Sequence, residues 1–134
     1  MELSNESKAC LSKEHTIDYE ELIKKWGVNC NSFLSLYTGF KWFTDPSNQI
    51  EGAIAYVESG GVWVASSDPH TSINNVSELL LLFAQAAKKA NKSVLIIPVL
   101  PQTVEIAKKI GYGSIVIGSE PIFNLESYAR TCPD

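Results

Sequence analysis

The side chains best suited to chemistry lie in a polar turn, Ser67-Asp68-Pro69-His70, between an apolar strand and a long amphipathic helix. A strand that leads into a helix N-terminus creates a place where backbone N–H groups and the positive end of the helix dipole can meet an anionic ligand. Asp68 could orient a donor amine or a hydroxyl there, and His70 could act as a base. The alternatives are that Asp68 only caps the turn and that His70 is solvated. Asp68 is therefore a candidate catalytic residue, and Ser67 and His70 are candidate substrate contacts.

A second carboxylate, Glu120, stands between Ser119 and Pro121 in an apolar stretch near the C-terminal end. Apolar surroundings predict partial burial, a raised pKa and a general-base role for this side chain. Glu120 could instead hold a β-bulge or pair with a neighbouring lysine. We retain Glu120 as the second candidate catalytic residue.

Aromatic residues concentrate between Phe33 and Phe43, which hold five of the thirteen aromatics of the chain. Tyr37 and Trp42 could line a slot for an acyl or aromatic group, since aromatic walls with few polar groups suit small-molecule pockets. The same cluster could simply be core. Tyr37 and Trp42 are kept as candidate substrate contacts.

Charge and cysteine content exclude several function classes. The net charge is −4, and nine of the fifteen acidic residues lie at or before Glu58. An acidic chain without a basic stripe is a poor independent binder of nucleic acid. Lysines cluster at 88–92 and 108–109, where they could contact phosphate or simply complement two helix C-termini. The three cysteines are far apart and lack C-x-x-C spacing, so we expect reduced thiols with no disulfide, no metal site and no cofactor.

The order of predicted elements indicates the fold class. We expect a loose segment over residues 1–16, a single domain over 17–134, and a cytoplasmic location, since no leader or membrane span is evident. The predicted helices cover 18–26, 72–91 and 101–109, and the predicted strands cover 40–44, 51–58, 61–66, 93–99, 114–118 and 122–125. The apolar run 93–99 predicts a central strand parallel to 61–66. This order predicts an α/β domain with a mixed central sheet and helices on both faces.

The same order is that of the GNAT acyltransferases, and particular residues narrow the resemblance. They are Ser32-Phe33-Leu34-Ser35-Leu36-Tyr37, Gly39, Lys41-Trp42-Phe43, Gly52, Ile54-Ala55-Tyr56, Ser67-Asp68-Pro69, Phe83, Ile110-Gly111-Tyr112, Ile117-Gly118, Glu120 and Asn124-Leu125. Together they resemble the phosphatidylglycerol lysyltransferase C-terminal domain family, in which two GNAT-like lobes transfer an aminoacyl group from tRNA to a lipid head group or another amine. This chain resembles the first lobe.

The resemblance implies specific partners: a second GNAT-like lobe or a homo-oligomer, and aminoacyl-tRNA bound through a partner lobe. Two alternatives stay open, a non-catalytic binding or scaffold lobe and a stand-alone acetyl-CoA-dependent N-acetyltransferase. Acetyl-CoA enzymes need a glycine-rich turn whose N–H groups cradle the pyrophosphate. The corresponding residues 66–72 contain no glycine, one carboxylate and one proline, which argues against that donor.

Overall fold

The computed structural model describes residues 17–127, so the predicted loose segment lies outside the described residues. The elements are α1 (Tyr19–Trp26), a first 3₁₀ helix (Ser32–Leu36), β1 (Lys41–Phe43), β2 (Gly52–Ser59), β3 (Val62–Ser66), β4 (His70–Thr71), a second 3₁₀ helix (Ile73–Asn75), α2 (Val76–Lys89), β5 (Ser93–Ile97) and α3 (Pro101–Lys109). Among these residues, no helix has both the length and the apolar content needed to cross a bilayer.

The strands form one mixed sheet in the order β1-β2-β3-β5, and β4 pairs with the start of β2. The predicted hairpin is confirmed, with Ser59 opposite Val62 across a two-residue turn. Gly60 has φ 57°, which glycine adopts without steric cost. The predicted parallel pairing is confirmed as well, because β5 runs parallel to β3.

Helices cover both faces of this sheet, as predicted. Phe43 of β1 contacts the ring of Phe83 of α2, with ring centroids 5.3 Å apart. Trp42, the residue before Phe43, stacks on the ring of Tyr19 of α1, with ring centroids 4.2 Å apart. Because successive strand residues point to opposite faces, α1 and α2 lie on opposite sides of β1.

The main core lies between the sheet and α2. The side chain of Phe83 is fully buried and also contacts the rings of Tyr56 and Trp63. The buried members of this cluster are Ile54, Trp63, Ala65, Val76, Leu79, Leu80, Phe83 and Ala87. The aromatic segment contributes only in part, since Phe33 and Tyr37 are 53% and 69% exposed.

Two strand predictions are wrong. β5 is the edge strand of the described sheet rather than a central one, and Leu95 is 45% exposed. Residues 114–118 and 122–125 form no strand, and their side chains are exposed. β-branched composition favours a strand only where the segment pairs with a neighbouring strand, and these residues pair with no strand among residues 17–127.

Candidate functional site

Asp68 is held inside the protein by the turn that follows β3. Ser67 adopts a left-handed conformation with φ 72°, and the Asp68 side chain is only 2% exposed. Asp68 Oδ1 accepts the backbone N–H of Leu100 at 3.2 Å, and Oδ2 accepts the same group at 3.3 Å. Leu100 precedes α3, so Asp68 ties the end of β3 to the start of α3. The expectation that this turn opens α2 is wrong, because β4 and the second 3₁₀ helix intervene.

Asn29 connects Asp68 to the loop after α1. Its amide nitrogen Nδ2 donates to Asp68 Oδ2 at 3.0 Å and to the carbonyl of Pro98 at 3.3 Å. Its Oδ1 accepts the backbone N–H of Asn31 at 2.9 Å and lies 3.7 Å from the thiol of Cys30. With an exposed fraction of 9%, Asn29 organises three loops from a buried position.

Cys30 extends this network to the second predicted carboxylate. Its Sγ donates to Glu120 Oε1 at 2.9 Å. The hydrogen bond to Glu120, followed by desolvation, raises the pKa of the Cys30 thiol. Cys30 therefore stays a thiol at neutral pH and is a hydrogen-bond donor rather than a nucleophile.

Glu120 differs from its predicted environment. Its side chain is exposed and lies outside any strand, so partial burial among apolar strands was the wrong expectation. Its carboxylate accepts a hydrogen bond from the Cys30 thiol rather than from a lysine. Even so, the tertiary structure brings both candidate carboxylates to two adjacent residues of one loop. Asp68 is hydrogen-bonded to Asn29, and Glu120 is hydrogen-bonded to Cys30, the next residue along the chain; we call these four residues the polar relay.

Ser67 is buried and contacts the loop that carries Asn29 through Ser32. It is 1% exposed, and its Oγ is 3.4 Å from the Oγ of Ser32. Ser32 in turn accepts the backbone N–H of Asn29 at 3.3 Å. The hydroxyl of Ser67 thus supports the Asn29 loop from inside the protein and has no surface facing a solvent-borne substrate.

His70 is buried in β4, opposite Ala53 of β2, so the solvated alternative is wrong. β4 can approach β2 because position 52 is a glycine: a Cβ there would lie 2.5 Å from the Cβ of Thr71. His70 is 1% exposed, and its Nε2 has no hydrogen-bond partner among the described residues. Burial lowers its pKa to about 4, against a smaller opposing effect of Asp68, so the imidazole is neutral at physiological pH.

The two aromatic candidates, Trp42 and Tyr37, lie in different parts of the structure. Trp42 packs between Tyr19 and His70, with the Trp42 and His70 ring centroids 5.8 Å apart. Tyr37 follows the first 3₁₀ helix and is 69% exposed. The structure therefore brings the rings of Trp42 and His70 together, while Tyr37 lies on the surface.

The lysine clusters lie outside the relay. Lys92 donates to the carbonyl of Gly60 at 3.0 Å, and Lys108 pairs with Glu105 at 3.5 Å. The first contact ties a residue beyond α2 to the β2–β3 turn, and the second lies within α3. Residues 17–127 also hold no group of three or more His, Cys, Asp or Glu side chains placed to bind a metal ion.

Sequence reasoning missed Asn29 and the role of Cys30. The local signal was the polar run Asn29-Cys30-Asn31 directly after α1, a position where side chains commonly bond to loop backbone. Chemically, the relay couples a buried anchor, Asp68, to an exposed carboxylate, Glu120, that can accept a proton from a group arriving from solvent.

Solved structures with a similar fold include the following two proteins. The chain is similar to L-PGS from Bacillus licheniformis, with a TM-score of 0.60 and 17% identity over 69% of this chain and 29% of that chain. It is also similar to the C-terminal domain of a protein from Agrobacterium fabrum described as a lysylphosphatidylglycerol synthetase, with a TM-score of 0.56, 17% identity, and coverage of 69% and 31%.

The sequence matches no family model and no curated protein sequence. The chain spans 29% and 31% of the lengths of the two solved structures. At 17% identity the likeness concerns the fold. The chain therefore has a GNAT-like α/β fold similar to that of L-PGS and of the lysylphosphatidylglycerol synthetase C-terminal domain, which confirms the resemblance read from its sequence.

Proposed function

We propose that this chain is an acyltransferase-like lobe that takes part in moving an aminoacyl group from aminoacyl-tRNA to an amine or hydroxyl acceptor, such as a lipid head group. The observation that carries the proposal is the polar relay, which brings Asp68 and Glu120 to the adjacent residues Asn29 and Cys30. The fold shared with L-PGS supports the reaction class. We place the reaction in the cytoplasm, where charged tRNA is available.

Glu120 is the general base in this proposal, because its carboxylate is exposed and oriented by a hydrogen bond from Cys30 at 2.9 Å. The acceptor nitrogen or oxygen attacks the carbonyl carbon of the aminoacyl ester and gives its proton to Glu120. A new C–N or C–O bond forms, and the ester C–O bond to the tRNA ribose breaks. The proton then passes from Glu120 to the leaving ribose oxygen, which becomes a hydroxyl, and the carboxylate is regenerated.

Asp68 acts as a positioning residue in this scheme. It is 2% exposed, and its two oxygens are engaged by Asn29 and by the N–H of Leu100. A carboxylate so enclosed cannot reach a substrate, but it fixes the Asn29 loop and hence the direction of the Cys30 thiol.

The donor requires a partner surface. With a net charge of −4, the isolated chain should bind tRNA weakly and with strong salt dependence, since phosphate neutralisation supplies most of such affinity. We therefore propose that tRNA is held by a second GNAT-like lobe and that this chain supplies Glu120 to the shared site.

A second candidate function is a non-catalytic binding or scaffold lobe. The observation that favours it is the enclosure of Asp68, since a carboxylate with satisfied hydrogen bonds is sufficient to stabilise a loop junction. The acetyl-CoA alternative has less support. The turn after β3 contains Asp68 and Pro69 but no glycine, and it is separated from α2 by β4.

The test is a transfer assay with labelled aminoacyl-tRNA and either phosphatidylglycerol vesicles or a peptide amine as acceptor. The purified chain is assayed alone and with the purified second lobe of an L-PGS-type domain. We expect transfer only with both lobes, its loss in Glu120→Gln, and full activity in Glu126→Gln. Glu126 is a matched control because it is an exposed carboxylate on the same segment.

The possible failures of this assay are distinct. No transfer in any combination supports the scaffold alternative. Full activity of Glu120→Gln refutes the general-base role. Transfer by the chain alone refutes the need for a partner lobe, and transfer from acetyl-CoA in place of charged tRNA identifies an acetyltransferase.

A further inference from the structure

The segment after α3 exposes its large apolar side chains. Its six large apolar side chains are between 62% and 96% exposed. They are Ile115, Val116, Ile117, Ile122, Phe123 and Leu125. Contiguous exposed apolar patches of more than a few hundred Å² mark interaction sites in soluble proteins. We call these six residues the tail surface.

An open strand edge complements this segment. In β5 the backbone groups of alternate residues face β3, as shown by the Ser93 N–H bond to Gly61 and the Ile97 carbonyl bond from Ser67. The N–H and carbonyl groups of Val94 and Ile96 therefore point to the other side, where no strand pairs with β5 among residues 17–127. An unpaired edge is a template for the addition of another strand.

Exposed apolar side chains also occur on the first 3₁₀ helix. The 2.9 Å hydrogen bond between Cys30 and Glu120 brings the segment beside the residues that begin this helix. Phe33 and Leu34 on the helix are 53% and 45% exposed. Exposed apolar side chains therefore occur on both of the segments that the Cys30–Glu120 hydrogen bond brings together.

We infer that the tail surface and the β5 edge join two copies of this chain, with residues 114–118 of each copy becoming a strand that pairs with β5 of the other. The five residues of 114–118 match the five residues of β5 in length, and their sequence Ser-Ile-Val-Ile-Gly is β-branched. Each copy therefore carries both surfaces, residues 114–118 and the β5 edge. Two copies related by a two-fold axis can satisfy each other completely. This inference does not depend on the proposed transferase chemistry.

Area and charge favour a protein partner of this kind. The exposed apolar side chains of the tail surface together offer on the order of 600 Å² per copy. This area is close to the roughly 800 Å² that each partner buries in a standard interface. Residues 111–127 contain no lysine or arginine. An anionic membrane or a nucleic acid would require such cations for attraction.

The test measures association of the full chain by sedimentation equilibrium over a wide concentration range. We expect a reversible dimer, and a dissociation constant raised about 10-fold or more by Val116→Glu or Ile122→Glu. Both positions are about nine-tenths exposed, at 96% and 89%, so neither substitution disturbs the core. The matched control is Leu81→Glu on α2, an exposed apolar position outside the tail surface, which should leave the dissociation constant unchanged.

Hydrogen exchange supplies a second measurement that addresses strand pairing directly. The amides of Val94 and Ile96 should be protected in the wild-type dimer and exchange quickly in Val116→Glu, while the amide of Leu95, bonded to β3, stays protected in both. A chain that is monomeric at all concentrations overturns the inference. So does a dimer insensitive to both substitutions, or a monomer in which Val94 and Ile96 are already protected, or a monomer that binds phosphatidylglycerol vesicles through Val116.

Discussion

Acidification should destabilise this fold through His70. The imidazole is 1% exposed, and burial lowers its pKa from 6.5 to about 4. In the unfolded chain the same side chain keeps its ordinary pKa, so in this range the unfolded state binds a proton that the folded state does not. The stability associated with neutral His70 is therefore complete above pH 6.5 and is lost as the pH falls towards about 4.

The size of this effect follows from the displacement of the pKa. A shift from 6.5 to about 4 corresponds to about 3 kcal/mol in the free energy of unfolding once the pH is below both values. Roughly 2 kcal/mol of it should be lost by about pH 5. Since domains of this size are stable by only about 5–15 kcal/mol, the loss is readily measured.

The assay is urea unfolding, followed by tryptophan fluorescence at several pH values between about 7.5 and 5. In His70→Gln the free energy of unfolding should fall by about 2 kcal/mol less than in the wild type over this range. The control is His15→Gln, which removes the other histidine of the chain and should keep the wild-type pH dependence. Carboxylates whose pKa is lowered in the folded protein, Asp45, Glu51 and Glu58, contribute equally to all three proteins.

The same pH dependence in His70→Gln and in the wild type would refute this reasoning. An imidazole pKa near 6.5 for His70, measured by NMR titration of the folded chain, would refute it independently.

Two further substitutions test the core and the relay. Phe83→Ala should lower the free energy of unfolding by about 3–5 kcal/mol, because a fully buried ring is removed. Leu81→Ala, at a position 39% exposed, should cost less than about 1 kcal/mol, and equal losses in denaturant titrations would contradict the assigned core. Asp68→Asn keeps the side-chain volume but weakens acceptance of the Leu100 N–H, and it should cost about 1–3 kcal/mol. Asp18→Asn should be neutral, since asparagine caps a helix equally well, and a neutral Asp68→Asn would show that the buried contacts of Asp68 do not stabilise the fold.

Local elements of this protein follow from local sequence. Asp18 accepts the N–H groups of Glu20 and Glu21, so α1 begins where a capping residue stands. α3 spans Pro101–Lys109, as predicted, because proline at the first position is already compatible with a helix. The β2–β3 hairpin follows from its two glycines.

The position of a strand within the sheet does not follow from local sequence. An apolar run such as residues 93–97 suits a central strand, and also an edge strand whose neighbour is supplied by another segment. Which of the two occurs depends on the strands that pair with it, and residues 114–118 do not pair with β5 among the described residues. Residues 93–97 and 114–118 have the same strand propensity whether they pair with each other or not, so propensity does not decide between the two arrangements.

In the candidate site, too, some features follow from the sequence and others only from the tertiary structure. The residue types and turn context of Asp68 and Glu120 nominated them from the sequence alone, as carboxylates beside an expected helix start and in an apolar stretch. Their connection depends on contacts across 39 residues, from Asn29 to Asp68, and across 90 residues, from Cys30 to Glu120. Burial also differs from what the sequence suggested: His70, for which a solvated position was considered, is buried, and Glu120, expected to be partly buried, is exposed. Hydrogen bonds and desolvation at such separations are set by how the elements pack, and no local pattern of residues encodes them.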